Sequence, residues 1–103
     1  ADVVDYYFNA PSRILNSDLT VTDSGHFIVD DLRIDRTLTI TNYGAVDAGI
    51  TVAENSTLVI ENYGNIDDIV VFSYGLYLSM VAGDILGIDK DITNSLYKYF
   101  SVK

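Results

Sequence analysis

The sequence predicts an all-β chain, a short parallel β-helix of about four rungs of roughly 20 residues. An N-terminal strand precedes the rungs and a helical cap follows them. Three observations carry this reading. The stretch Thr37-Leu-Thr-Ile-Thr-Asn-Tyr-Gly-Ala-Val-Asp47 returns 20 residues later as Thr57-Leu-Val-Ile-Glu-Asn-Tyr-Gly-Asn-Ile-Asp67, with Thr, Leu, Ile, Asn, Tyr, Gly and Asp in identical places. Each copy opens on a strict alternation of apolar and polar residues, the signature of a half-buried strand. Each then meets the same Asn-Tyr-Gly turn signal.

The elements follow in chain order. Residues 1–17 form an N-terminal strand or cap: Val3-Val4-Asp5-Tyr6-Tyr7-Phe8 is apolar and aromatic and is expected to end before Pro11. Residues 18–86 form the solenoid. Its rungs begin near Leu19, Leu38, Leu58 and Leu78. Leu19-x-Val21 aligns on Leu38-x-Ile40 at a spacing of 19, and Leu78-x-Met80 lies 20 beyond Leu58-x-Ile60. The outer rungs are less regular, as terminal repeats with a capping role are. Within the regular rungs, Leu38 and Ile40 point inward and Thr37, Thr39 and Thr41 outward. Leu58 and Ile60 repeat the pattern. The glycine after Asn-Tyr supplies a positive φ for the turn. A second strand follows at Val46 or Ile66, and a third at Ile50-x-Val52, matched by Val70-x-Phe72 and, with a one-residue shift, by Leu32-x-Ile34. Three short strands per rung make a triangular coil, and stacking the coils about 4.8 Å apart pairs each strand with its copy. Residues 87–103 form the C-terminal cap. Ile92, Leu96, Tyr99 and Phe100 share a helical face, with Asp91 as N-cap and Lys98 and Lys103 near the C-terminal end. A small β-sandwich with internal symmetry is the alternative fold.

The chain has 103 residues, enough for one domain with a real core, and 49% of them are hydrophobic. It has no cysteine, so disulfides, thiol chemistry and thiolate metal sites are excluded. The net charge of −9 argues against nucleic acid and anionic membrane surfaces as partners. From Thr37 through Asp89 there is no lysine or arginine, while Asp47, Glu54, Glu61, Asp67, Asp68, Asp84 and Asp89 lie in that span. An acidic body therefore has its cations towards the two ends. Asp84 and interspersed glycines and serines interrupt the apolar stretch from Ile69 to Ile88, so no membrane span is expected.

The run TLTITNYGAV…TLVIENYGNI resembles the repeats of right-handed parallel β-helices. It looks most like those of bacterial autotransporter passengers and filamentous-haemagglutinin-like surface proteins, which reuse a strand, Asn-x-Gly, strand rung. The resemblance spans residues 18–86 and is densest over 37–72. It implies a right-handed coil, a secreted or cell-surface location, and a role as adhesin, surface fibre or polysaccharide-processing enzyme. The chain departs from those long passengers in its shortness. That favours a fragment, a cap or a small self-assembling subunit over a complete shaft.

The candidate sites follow from the repeat. Asn42 and Asn62 are in register, as are Tyr43 and Tyr63. Stacked amides satisfy turn backbone groups, and stacked tyrosines either pack or offer an aromatic ladder to a cell-surface glycan. Asp47 and Asp67, with Asp68 adjacent, could gather a Ca²⁺ ion, since hard cations take clustered carboxylates. No EF-hand loop or Gly-Gly-x-Gly-x-Asp nonapeptide is present. His26, the one histidine, stands beside a turn with no nucleophile or second ligand in an argued arrangement. No catalytic residues or resident cofactor are assigned. A short solenoid leaves open strand edges at its ends, and these are templates for another chain. The aromatic flanks supply an expected assembly interface of Val3, Val4, Tyr6, Tyr7, Phe8, Tyr97, Tyr99 and Phe100. The functional expectation is a non-enzymatic structural protein that polymerises through its solenoid ends. The rival is a carbohydrate-binding or adhesive module assisted by Ca²⁺.

Overall fold

The structure is a computed structural model that describes residues 2–67, 70–81, 84–89 and 97–98, with side chains described for 2–67 and 74–78. The chain is a parallel β-solenoid of about four coils. The first coil comprises β1 (Asp2–Val4) and β2 (Tyr7–Leu15), and the second β3 (Leu19–Val21) and β4 (His26–Ile34). The third comprises β5 (Leu38–Asn42) and β6 (Ala45–Val52); the fourth β7 (Thr57–Asn62), β8 (Asn65–Ile66) and β9 (Val70–Ser73). β10 (Leu76–Val81) opens a further lap. β11 (Asp84–Asp89) then turns back on β10, and β12 (Tyr97–Lys98) lies along β9.

Two sheets result, in the orders β1-β3-β5-β7-β10-β11 and β12-β9-β6-β4-β2, with β8 also paired to β6. Leu38 pairs with Leu58 and Ile40 with Ile60 in parallel register, which decides for a coil over a sandwich. β11 and β12 are antiparallel to their neighbours, so the chain reverses at the C-terminal end of both sheets. The expected helical cap over 87–103 falls mostly outside the described residues. Where that region is described, at 87–89 and 97–98, it is extended.

The alternation predicted from sequence is realised as inward columns. Leu15, Ile34 and Val52 form one column, Leu32 and Ile50 another, and Leu19, Ile40 and Ile60 a third. All are buried. Each such side chain removed from water contributes about 1.5–3 kcal/mol. Phe27 packs on Phe8 with ring centroids 5.3 Å apart and planes 12° from parallel.

Four details differ from the sequence reading. The second and third strands of the middle coils run together as β4 and β6, bent where Asp30 and Asp31 stand opposite Gly49. The first coil is complete: β2 continues through Pro11 as the edge of its sheet, where a residue without an N–H is tolerated. Leu19 pairs with Ile40 and Val21 with Asn42, two residues beyond the expected partners, because Thr22-Asp23-Ser24-Gly25 forms a longer corner closed by a 2.9 Å bond from the Gly25 N–H to the Thr22 carbonyl. Tyr77, not Leu78, pairs with Leu58 and is buried, so β10 is one residue out of the expected phase. A matching one-residue shift pairs Ile50 with Val71.

The corner glycines also have a different reason from the one expected. Neither Gly44 nor Gly64 sits in the left-handed region. Both lie where one coil touches the next: a Cβ on Gly44 would strike the Gly25 and Thr22 carbonyl oxygens, and one on Gly64 the Gly44 carbonyl oxygen. The positive φ falls on Asn55 instead, at 62°, in the turn closed by the Ser56 N–H on the Ala53 carbonyl. Replacing Gly44 or Gly64 by Ala is expected to force the coils apart locally and cost about 1–3 kcal/mol, the range for overpacking a close contact. Urea unfolding followed by circular dichroism measures it, and an unchanged midpoint would refute the close-approach account.

Candidate functional site

The corner after β5 and β7 carries the repeated Asn-Tyr-Gly. Alternation carries Asn42 and Asn62 inward, where both are buried, and leaves Tyr43 and Tyr63 outside. The Asn42 side-chain amide donates to Asn62 Oδ1 and to the Asn65 carbonyl, each at 2.9 Å. Asn42 Oδ1 accepts from the Gly44 N–H at 3.0 Å, and Asn62 Oδ1 from the Gly64 N–H at 3.2 Å. The amide ladder therefore holds the corner backbone closed from within. It stops at two members because Val21 pairs with Asn42 on one side and Val81 with Asn62 on the other.

Outside the corner, Tyr43 and Tyr63 stack with centroids 5.3 Å apart and planes 15° from parallel. Both rings are about half exposed, at 50% and 53%. The Tyr63 hydroxyl donates to Glu61 Oε1 at 3.2 Å. That hydrogen bond, and secondly the charge of the Glu61 carboxylate, hold the Tyr63 phenol above its ordinary range. The stack covers one face of each ring and leaves the free faces on opposite sides, so the pair is not a flat platform for a sugar ring spanning both.

The expected interface divides. Val3, Tyr6 and Tyr7 are exposed on the first coil. Val4 is corrected to a core residue, since alternation from Val3 turns it inward and buries it; Phe8 likewise turns inward and is partly buried, packed against Phe27. Tyr97 lies in β12 opposite Val71, and Tyr99 and Phe100 lie outside the described residues. Asp47 and Asp67 are exposed on neighbouring coils, in line with Val46 and Ile66, which pair. Asp68 lies outside the described residues. Among the described residues, no three carboxylate or imidazole groups gather that could hold a metal ion.

Two features of the N-terminal end were not read from sequence. Ile14 is exposed on edge strand β2. The adjacent pair Ile14-Leu15 contained that signal, because one of two neighbouring strand residues must face out. Arg13 falls on the inward-facing side of β2, at the mouth of the coil, opposite Leu32. Its Nη2 donates to Asp2 Oδ2 at 3.2 Å, and its guanidinium lies 5.0 Å from the Phe8 ring centroid. This pair and the Phe8 ring close the open end of the core.

The chain matches no protein-family model, no curated protein and no solved structure. No helix among the described residues is long and apolar enough to cross a membrane.

Two outcomes follow. Asn42→Ala removes the buried bond to Asn62 Oδ1 together with the part-buried bonds to the Gly44 N–H and the Asn65 carbonyl, and orphaning a buried polar group costs about 1–3 kcal/mol. A loss of at least about 2 kcal/mol is expected in chemical denaturation. The Tyr63 phenol titrates above an ordinary tyrosine, so its bond to Glu61 is intact at neutral pH and is lost as pH rises through the elevated pKa. Ring-proton NMR should show that pKa falling in Glu61→Gln.

Proposed function

We propose that this chain is a non-enzymatic structural β-solenoid module of the extracellular space or cell surface, akin in role to the repeat regions of autotransporter and haemagglutinin-like proteins. It joins other copies through its first coil. One observation carries the reading. Among the described residues six large hydrophobic side chains are exposed, and four of them, Val3, Tyr6, Tyr7 and Ile14, lie on that coil. Its strands β1 and β2 are the edges of their sheets, each paired on one side only. Exposed apolar groups beside an unpaired edge favour the addition of a strand from outside.

Pro11 and the inward Arg13–Asp2 pair shape this association. A partner that continued the core coaxially would bury that ion pair, and desolvating two charges costs several kcal/mol per ion. The favoured partner therefore adds a strand to the β1 or β2 edge without capping the mouth of the coil, so that its outward side chains lie beside Val3, Tyr7 and Ile14 and the ion pair stays wet.

Sedimentation of the purified chain at micromolar concentration tests this. The wild type should run heavier than one chain. Val3→Lys with Tyr7→Lys, both outward positions, should weaken association at least about tenfold, equivalent to 1.4 kcal/mol, with an unchanged circular-dichroism spectrum. A wild type that stays monomeric refutes the proposal.

A further inference from the structure

We propose that Tyr43 and Tyr63 form an oxidative cross-linking site, at which a peroxidase with hydrogen peroxide joins the third and fourth coils through a dityrosine bond. The inference is independent of the docking proposal and rests on a different part of the molecule.

Composition directs oxidation to tyrosine. The chain has no cysteine and no tryptophan, one methionine and eight tyrosines. The thiol chemistry that ordinarily takes up oxidising equivalents is missing. Geometry then selects the pair. Both rings are half exposed, so a one-electron oxidant reaches them. The rings are already stacked, with centroids 5.3 Å apart and planes 15° from parallel. The new bond forms between ring carbons ortho to each oxygen, along orbitals normal to the ring planes, and stacked rings present those orbitals to each other. Glu61 Oε1, 3.2 Å from the Tyr63 oxygen, is placed to take the phenolic proton as the electron leaves.

The chemistry balances. Each phenol loses one electron and one proton to give a tyrosyl radical, and hydrogen peroxide accepts the two electrons and two protons to give two waters. The radicals couple through their ortho carbons. Each of those carbons then loses its hydrogen as a proton while each oxygen regains one, so the product is the chain less two hydrogen atoms. Side chains at an outward corner can swing as aromaticity returns and the new bond settles into both ring planes. Because the strands beneath hold the two rings together, coupling is intramolecular, at an effective concentration far above that of a dilute protein solution. The product is a covalent staple between residues 20 apart in sequence, set outside the amide ladder that ties the same two corners.

The test treats the dilute full chain with horseradish peroxidase and hydrogen peroxide, then cleaves it with a glutamyl endoprotease. Glu54 and Glu61 are the two glutamates, so cleavage separates 1–54 from 62–103. The expected product keeps those fragments joined, two hydrogens lighter, with the dityrosine fluorescence and a fragmentation spectrum placing the link at Tyr43 and Tyr63. Tyr43→Phe and Tyr63→Phe, which preserve the stack, should each abolish it. Glu61→Gln should slow it several-fold, and oxidation in urea should lose the selectivity. The proposal is overturned if the folded chain leaves Tyr43 and Tyr63 unlinked while other tyrosines react. Equal yield of the link in the unfolded chain also overturns it.

Discussion

Each coil of this chain must lie about 4.8 Å above the last and be hydrogen-bonded to it along its length. Every inward side chain then rests on the residue one coil below, and like tends to stack on like. Leu38 sits against Leu58, Ile40 against Ile60, Phe8 against Phe27 and Asn42 against Asn62. The same spacing brings corner backbones into contact, which is why Gly44 and Gly64 cannot carry a Cβ. Where one strand is shorter than its neighbour, a side chain completes the ladder, as Asp18 does by accepting the Thr39 N–H at 2.8 Å. The buried amides and the exposed tyrosines are two consequences of one repeat, separated only by the side of the corner on which alternation places them.

A stack of so few coils is governed by its ends as much as by its body. At the N-terminal end the core is closed by Arg13, Asp2 and Phe8, while the backbone edge and its outer apolar residues stay open. At the other end both sheets finish in strands that run against the stack. The two ends thus differ in kind, and the first coil combines unpaired strand edges with exposed apolar side chains.

Much of this was legible from residues alone. The 20-residue echo and the alternation around Leu38 and Leu58 named the solenoid, its all-β class and most of its core. The amide and tyrosine ladders were legible because both copies of Asn-Tyr-Gly are intact. The N-terminal flank was read less well. Its aromatic character suggested one interface, whereas alternation buries Val4, turns Phe8 inward to pack on the core, and leaves Val3, Tyr6 and Tyr7 outside. The pairing of Tyr63 with Glu61 follows from their shared outward phase and could have been anticipated.

Register shows where sequence reading stops. A shift of two residues leaves every side chain on the same face, so the hydrophobic pattern could not distinguish Ile40 from Leu38 as the partner of Leu19. A shift of one exchanges the faces, and the apolar run Leu76-Tyr-Leu78 offers acceptable residues in either phase, so only packing selected Tyr77 for the core. The sequence by itself determined the coil, its period and the chemistry of its corners, because these are local and repeated. Tertiary structure decided the register at each end, the reversal of the last strands and the inward place of Arg13. Those depend on corner lengths and on which neighbour is missing, and neither is written in a periodic pattern.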